Sequence, residues 1–378
     1  MKFLDFIWSK FYLILQSKTN LMSLTKDYKI SVQKCTKSNI DQVDFNNLVF
    51  GQVFSDHMFE CDYKDGVWQN PTIRPYGPLS IYPSSKVFHY GQAVFEGMKA
   101  YKDDDGGVFL FRPIENLKRI NKSSVRMAIP EFPEALFFDA MNQLLKLDSA
   151  WIKPGIGNSL YIRPFVIATQ NGVSASPSTE YKFMIILSPA QAYYTGDVKV
   201  VIAESFSRAA DGGVGFAKAA GNYGAQFYPT NLAKEKGFQQ VIWTDANEHK
   251  YLEEAGTMNV FFRINDTLYT APTNDRILDG VTRKSVIALA ERAGVDVQVY
   301  RLTVDELIAA ANNGSLKEIF GAGTAAVISP VSGFNYKNKT YDLPIADTTS
   351  YAARFKEELT NIQHNTSEDP FGWRYEVK

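Results

Sequence analysis

The chain has 378 residues, more than one ordinary core needs, so its length favours two or three domains with ample interior to bury. Forty Lys and Arg nearly balance 41 Asp and Glu, which leaves no overall field to attract nucleic acid or an acidic membrane surface and suits small neutral or anionic substrates. The 45% hydrophobic content reads as globular, while two cysteines, Cys35 and Cys61, offer neither a disulfide framework nor a structural zinc site and suit a reducing, cytoplasmic setting.

In chain order, MKFLDFIWSKFYLILQ is apolar, but Asp5 and Lys10 interrupt it and no small-x-small cleavage site follows. It is too short and too charged to span a bilayer and has no arginine for a transit peptide. Residues 1–21 are therefore expected to be a dispensable extension ahead of Met22, with a surface amphipathic helix as the rival reading. Alternation over residues 45–61 predicts a strand, and SIYPSSKVFHYGQAVFEG continues with strand and turn signals.

Pro113 and Pro133 each open a helix at the first-turn position, where the missing N–H costs nothing. Leu136, Phe137, Ala140, Met141, Leu144 and Leu145 recur at helical spacing and predict a core face. YIRPFVIAT and YKFMIILS read as strands. The turn-rich QAYYTGD then marks a boundary, giving an N-terminal α/β domain over 22–190, a loop over 191–197 and a larger C-terminal domain over 198–378. Strands QQVIWT, MNVFFRI and TLYT, the helix TRKSVIALAERAG, and a capping box formed by Thr303 and Glu306 before ELIAAANN complete the second half. A cleft between two such domains is a common place for a cofactor.

Lys218 lies in GGVGFAKAAGNYGAQF, between glycine clusters, with Asn222 and Tyr223 just after it. Glu254 follows in EEAGTMN and Thr324 in FGAGTAAVISPV. A lone lysine is most often a solvated surface charge. In this order, though, the pieces suggest a lysine that holds a cofactor aldehyde as a Schiff base, which is pyridoxal phosphate chemistry. A lysine in that role must be tuned, because a free one has a pKa of about 10.4 and attacks only when neutral.

HYGQAVFEGMKAY, RPIENLKRINKSSVRMAIP, SLYIRPF, AKAAGNYG, EEAGTMNVFF, LDGVTR and FGAGTAAVISPV, taken together, resemble the blocks of the branched-chain amino acid aminotransferases, of fold type IV among pyridoxal phosphate enzymes. They occur in the family's order over roughly residues 45 to 335. The resemblance implies a two-domain α/β fold of mixed sheets and helices, with pyridoxal 5′-phosphate between the domains. It also implies transamination of leucine, isoleucine and valine with 2-oxoglutarate by a ping-pong cycle.

By the same resemblance Lys218 is the Schiff-base and proton-shuttle residue, Tyr223 meets the cofactor's phenolic oxygen, and Glu254 is the partner of the ring nitrogen. Glu253 points elsewhere on an extended segment. Arg119 in ENLKRIN, the backbone of Val281 and Thr282 at a helix start, and Thr324 hold the phosphate. On the substrate side stand Tyr90, Tyr161 and Arg163, with the N–H groups of Thr324 and Ala325 on the carboxylate and Phe50, Phe95 and Tyr193 as aromatic walls. Val173 in NGVSASP resembles a loop residue that a second subunit contributes, which implies a homodimer. No metal is expected. Asp279 departs from the proline that the family more often carries there, and an acid beside a phosphate is unfavourable unless it points outward.

A D-amino-acid aminotransferase or an aminodeoxychorismate lyase would share the fold, but YIRP, DHM and FEGMK argue against both. A non-catalytic pyridoxal phosphate binder is disfavoured by the joint presence of Lys218, Tyr223 and Glu254.

Some animal members of the family carry a Cys-x-x-Cys pair just after the glycine-threonine of the phosphate loop, whereas Ala326 and Ser329 occupy those positions here. Mild peroxide should therefore leave activity largely intact. Reversible peroxide inactivation mapped to Cys35 or Cys61 would contradict this.

Overall fold

A computed structural model describes residues 28–191, 198–344, 347 and 349–378. The expected extension over 1–21 and the aromatic wall Tyr193 lie outside the described residues. The first sheet runs Ser31–Val32, Val67–Pro75, His57–Lys64, Tyr181–Ala190, Ser159–Ala168, Met98–Lys102, Val108–Phe111 and Arg374–Glu376, with Ala93–Phe95 added beside Ser159–Ala168. The second runs Leu252–Ala255, Gln240–Thr244, Val198–Ile202, Val327–Tyr336, Leu316–Gly323, Asn259–Ile264, Thr267–Thr270 and Val297–Val299, with Lys339–Asp342 beside Val327–Tyr336. The last strand of the chain, Arg374–Glu376, pairs with Val108–Phe111 of the first sheet and so departs from a division that assigns all of 198–378 to one domain.

The helix Glu134–Leu147 packs on the first sheet, with Leu136, Phe137, Ala140, Met141, Leu144 and Leu145 all buried, so the 3.6-residue apolar period sets its inward face. Pro133 is the residue before this helix rather than part of its first turn, because its ψ of 134° keeps it extended. Pro113 does open Pro113–Arg126. The predicted strand over 45–61 begins only at His57. Upstream, Gly51 is left-handed at φ 73° and backbone turns close at Asp44–Asn47 and Val49–Gln52, so the alternation there belongs to successive turns.

Within the DHM block, His57 Nδ1 lies 2.6 Å from Asp148 Oδ1, while the Cys35 N–H donates to Nε2 at 2.9 Å. Nε2 is thus the acceptor and Nδ1 carries the proton, a structural tie between strand and helix end. Neither cysteine is in a disulfide among the described residues; burial, and then Asp56 and Asp148, push the Cys35 thiol up and away from reactivity.

A mixed layer joins the two halves. Tyr101, Phe111 and Trp373 pack with Phe261, Phe320 and Phe355, and the C-terminal helix Tyr351–Gln363 supplies Leu359 and Ile362. In the second half Val304–Asn312 begins with the anticipated capping box, Thr303 Oγ1 accepting from Glu306 N and Glu306 reaching back to Thr303 N.

These two kinds of support differ in size. Leu144→Ala, at a fully buried site, should cost about 2–5 kcal/mol of stability, and Thr303→Ala about 1 kcal/mol. Denaturant midpoints check the ordering, and an equal or reversed effect would show that the first core is not what holds the N-terminal half.

Candidate active site

Lys218 is fixed by the first half of the molecule, although it follows the second sheet's first strand in sequence. Its N–H donates to Ser123 Oγ at 2.9 Å, and its carbonyl accepts from Phe95 N at 3.0 Å. Asn222 folds the preceding loop back by donating to the carbonyls of Val214 and Ala217. Gly215 is required there, since any Cβ would collide with the backbone of Arg276. The Lys218 Nζ then projects to within 2.8 Å of the Tyr223 hydroxyl, over the face of Phe95.

A cavity of about 320 Å³ opens here between the two halves. It is lined by Lys218, Tyr223, Arg119, Glu254, Val281, Thr282 and Thr324 of the cofactor set, and by Phe50, Phe95, Tyr161, Arg163 and Ala325 of the substrate set. Tyr90 and Val173 are not in the lining. Both are exposed, and the Tyr90 hydroxyl donates to the Val173 carbonyl, so within one chain they form a surface unit of their own.

At one end Arg119 is held by a carboxylate that sequence reading misses. Glu96 takes two parallel hydrogen bonds from its guanidinium, Nε to Oε1 at 2.6 Å and Nη2 to Oε2 at 2.9 Å. Burial pushes the Glu96 carboxyl up, but the Arg119 charge and hydrogen bonds outweigh it and hold the group below the usual range. The third corner of the fork, Nη1, donates to the Asp279 carbonyl at 3.1 Å. Asp279 itself turns outward, its carboxylate 2.7 Å from Lys284 Nζ, which removes the conflict with a bound phosphate. Gly280 then leads into the helix Val281–Arg292, whose first-turn N–H groups have no intrahelical acceptor and face the cavity beside Arg119.

At the other end Glu254 lies on Leu252–Ala255, 5% exposed. Oε1 meets Arg208 Nη2 at 2.6 Å and accepts from Leu278 N, and Oε2 accepts from Asn259 Nδ2 at 2.8 Å. A carboxylate has about four acceptor positions, so one remains for a group in the cavity. Burial pushes the Glu254 carboxyl up, and Arg208 only partly offsets this. Glu253 faces away from the cavity to pair with Arg276. Arg208 and Asn259 also escape sequence reading, because a lone arginine upstream of a glycine cluster carries no signal of its partner.

The substrate side is aromatic. Phe50 meets Tyr161 edge-on at 4.9 Å, and Arg163 lies over Phe95 and donates to the Tyr161 hydroxyl at 3.0 Å. Gly97 must lack a side chain, since a Cβ would strike that hydroxyl. The Arg163 Nε is buried and has no hydrogen-bond partner among the described residues.

These residues fit pyridoxal 5′-phosphate. The cavity has an anion seat at Arg119 and the helix start, a carboxylate with a spare acceptor position at Glu254, and an amine beside a phenol between them.

A family model for amino-transferase class IV matches residues 93–334. Branched-chain-amino-acid transaminase 1 of Bacillus subtilis (strain 168) is 46% identical over 342 residues, covering 89% of this chain and 96% of its own. Among solved structures, the branched-chain amino acid aminotransferase from Escherichia coli shares the fold with a TM-score of 0.69 at 24% identity, over 85% of this chain and 99% of its own. The branched-chain amino acid aminotransferase from Thermobaculum terrenum, solved in its PLP-form, shares the fold with a TM-score of 0.68 at 19% identity, over 86% and 100%. With the family model covering more than half of the chain and a relative matching over most of its own length, the chain belongs to amino-transferase class IV and, within it, to the branched-chain-amino-acid aminotransferases.

Proposed function

We propose that this protein moves the amino group of leucine, isoleucine or valine to 2-oxoglutarate in two half-reactions, with pyridoxal 5′-phosphate as cofactor and Lys218 as the catalytic amine. The observation that carries the reading is the 2.8 Å contact of the Lys218 amine with the Tyr223 phenol, in a cavity that also has an anion seat and a buried carboxylate. When bound, the cofactor supplies an electron sink for the charge left when the substrate α-carbon gives up its proton.

The chain's own residues do the rest. Arg119, the N–H groups of Val281 and Thr282, and the Thr324 hydroxyl bind the phosphate. Tyr223 donates a hydrogen bond to the phenolic oxygen. Glu254, as a carboxylate with a spare acceptor position, would hold a proton at the ring nitrogen while Arg208 fixes its orientation. Lys218 takes the proton from the substrate α-carbon and returns it during the exchange of amino and oxo groups. Phe50, Phe95 and Tyr161 take the branched side chain, with Tyr193 as a further wall. The N–H groups of Thr324 and Ala325 take the α-carboxylate.

Two unlike substrates must share this cavity, one with an apolar side chain and one with a second carboxylate. Arg163 suits the second, because its guanidinium lines the cavity and lies on Phe95, where its charge can meet that carboxylate. Tyr90 and Val173, hydrogen-bonded to each other on the surface, suit a role in a partner's site within a homodimer. The protein acts in the cytoplasm on this reading.

Lys218→Ala should lower transamination by about 10³-fold or more, since covalent capture and proton transfer use one amine. Glu254→Gln should retain the cofactor yet lower kcat by about 10²-fold. A folded Lys218→Ala protein with parental activity would sink the assignment. Arg163→Met should raise KM for 2-oxoglutarate by about tenfold or more, through loss of a charge-assisted hydrogen bond, while the single-turnover reaction with leucine changes little. Equal losses for both substrates would remove Arg163 from the second-carboxylate role.

A further inference from the structure

Lys99 is used by nothing in the chemistry above, yet it is a cation in a place where cations are rarely tolerated. It lies on Met98–Lys102 and is 7% exposed. Among the described residues no carboxylate lies within ion-pair distance of it. Lysine is almost never buried to this degree without a charged partner. Its Nζ donates instead to a single carbonyl, that of Ala325, at 2.8 Å across 226 residues of sequence.

That carbonyl belongs to the short turn between Leu316–Gly323 and Val327–Tyr336, which carries Thr324, Ala325 and Ala326 on the wall of the main cavity. The turn is held in an unfavourable conformation. Val327 is β-branched and lies at φ 59°, in the left-handed region that such residues avoid. A small second cavity is lined by Lys99, Tyr101, Thr324, Val327 and Gln363, together with Val281 and Thr282 of the helix start, and Lys99 does not line the main cavity, so the lysine reaches the turn from outside that cavity. In a trans peptide the C=O and the following N–H point in opposite directions. A carbonyl drawn back toward Lys99 therefore sends the N–H of Ala326 forward.

Resting on the transaminase reading, we propose that Lys99 is a positioning residue for the carboxylate end of the substrate site: from behind the turn it holds the Ala325 carbonyl out of the main cavity and keeps the Ala326 N–H, with the amides before it, aimed inward. The lysine also puts a positive charge behind those amides, which favours an anionic carboxyl group over a neutral one. No contact of Lys99 with substrate is needed. Replacing it removes no direct contact with substrate and acts only through the turn.

The surroundings add a pH dependence. Burial, and then the charge of Lys356 on the C-terminal helix, lower the Lys99 pKa to about 8. The other titratable groups facing it stay neutral near that pH. His364, at the end of the same helix, is pushed down to about 4 by burial and by Lys99, and Tyr101 on its own strand is pushed up by burial. The ammonium is thus present below about pH 8 and given up above it.

The test compares the holoenzyme with Lys99→Met and with Lys99→Gln, which keeps a neutral donor, using 4-methylvalerate, a monocarboxylate without an amine, as competitive inhibitor. Lys99→Met should raise its inhibition constant by about tenfold near pH 7, the worth of one oriented hydrogen bond, with Lys99→Gln intermediate and kcat for leucine changed by less than about threefold. The ratio of variant to parent should shrink as the pH rises past about 8. Hydrogen exchange of the 324–327 amides should quicken in Lys99→Met. Unchanged inhibition together with unchanged exchange in a folded variant overturns the proposal, as does a loss confined to kcat. The exchange measurement stands whether or not the parent protein turns over branched-chain amino acids, so failure of the transaminase reading is told apart from failure of this one.

Discussion

The site depends on one buried ion pair, the clamp of Glu96 on Arg119. Arg119 belongs to the helix Pro113–Arg126 and Glu96 is the residue after Ala93–Phe95, 23 positions away. The paired hydrogen bonds use Nε and one N–H of Nη2, one N–H of Nη1 reaches the Asp279 carbonyl at the entrance to Val281–Arg292, and one N–H on each Nη is left for an anion. The neighbouring Phe95 N–H holds the Lys218 carbonyl. One short stretch of the first sheet thereby sets Arg119, the start of the helix Val281–Arg292 and Lys218 relative to one another. Removal of Glu96 would strand a buried cation, at a cost of about 3–5 kcal/mol for a broken buried pair.

The same logic orders the other charges around the cavity. Each ionisable side chain that reaches the cavity in this set has a partner that limits its freedom: Glu96 for Arg119, Arg208 and Asn259 for Glu254, Tyr223 for Lys218. Asp279, the one acid that would oppose a phosphate, is paired outward with Lys284. The result is a cavity with a cationic end, an anionic end and an amine between them. A planar cofactor with a phosphate at one side and a ring nitrogen at the other matches that polarity. Arg163 lines the same cavity, with its guanidinium over Phe95.

Much of this is legible in the sequence, for reasons that can be stated residue by residue. Lys218, Tyr223 and Glu254 sit in local runs whose glycines and spacing carry information, and the helix Glu134–Leu147 shows its buried face through an apolar period of 3.6. What escapes is long-range. Nothing near Glu96 names Arg119 as its partner, nothing near Arg208 names Glu254, and Lys99 meets Ala325 only because a strand of one sheet passes behind a turn of the other. Alternation misleads over 45–56, where successive turns mimic the period of a strand. The family resemblance groups Tyr90 with the substrate residues, but in the structure it lies outside the cavity lining, its hydroxyl donating to the Val173 carbonyl on the surface.

The central claim is that one amine, beside one phenol, serves both an apolar amino acid and a dicarboxylic oxo acid in turn. The most direct test is the visible absorbance of the purified, cofactor-loaded protein during sequential addition of leucine and then 2-oxoglutarate. The account predicts that leucine bleaches the band with release of the branched 2-oxo acid, and that 2-oxoglutarate restores it with formation of glutamate. A band that leucine leaves unchanged, or that bleaches and is not restored by 2-oxoglutarate, would contradict it.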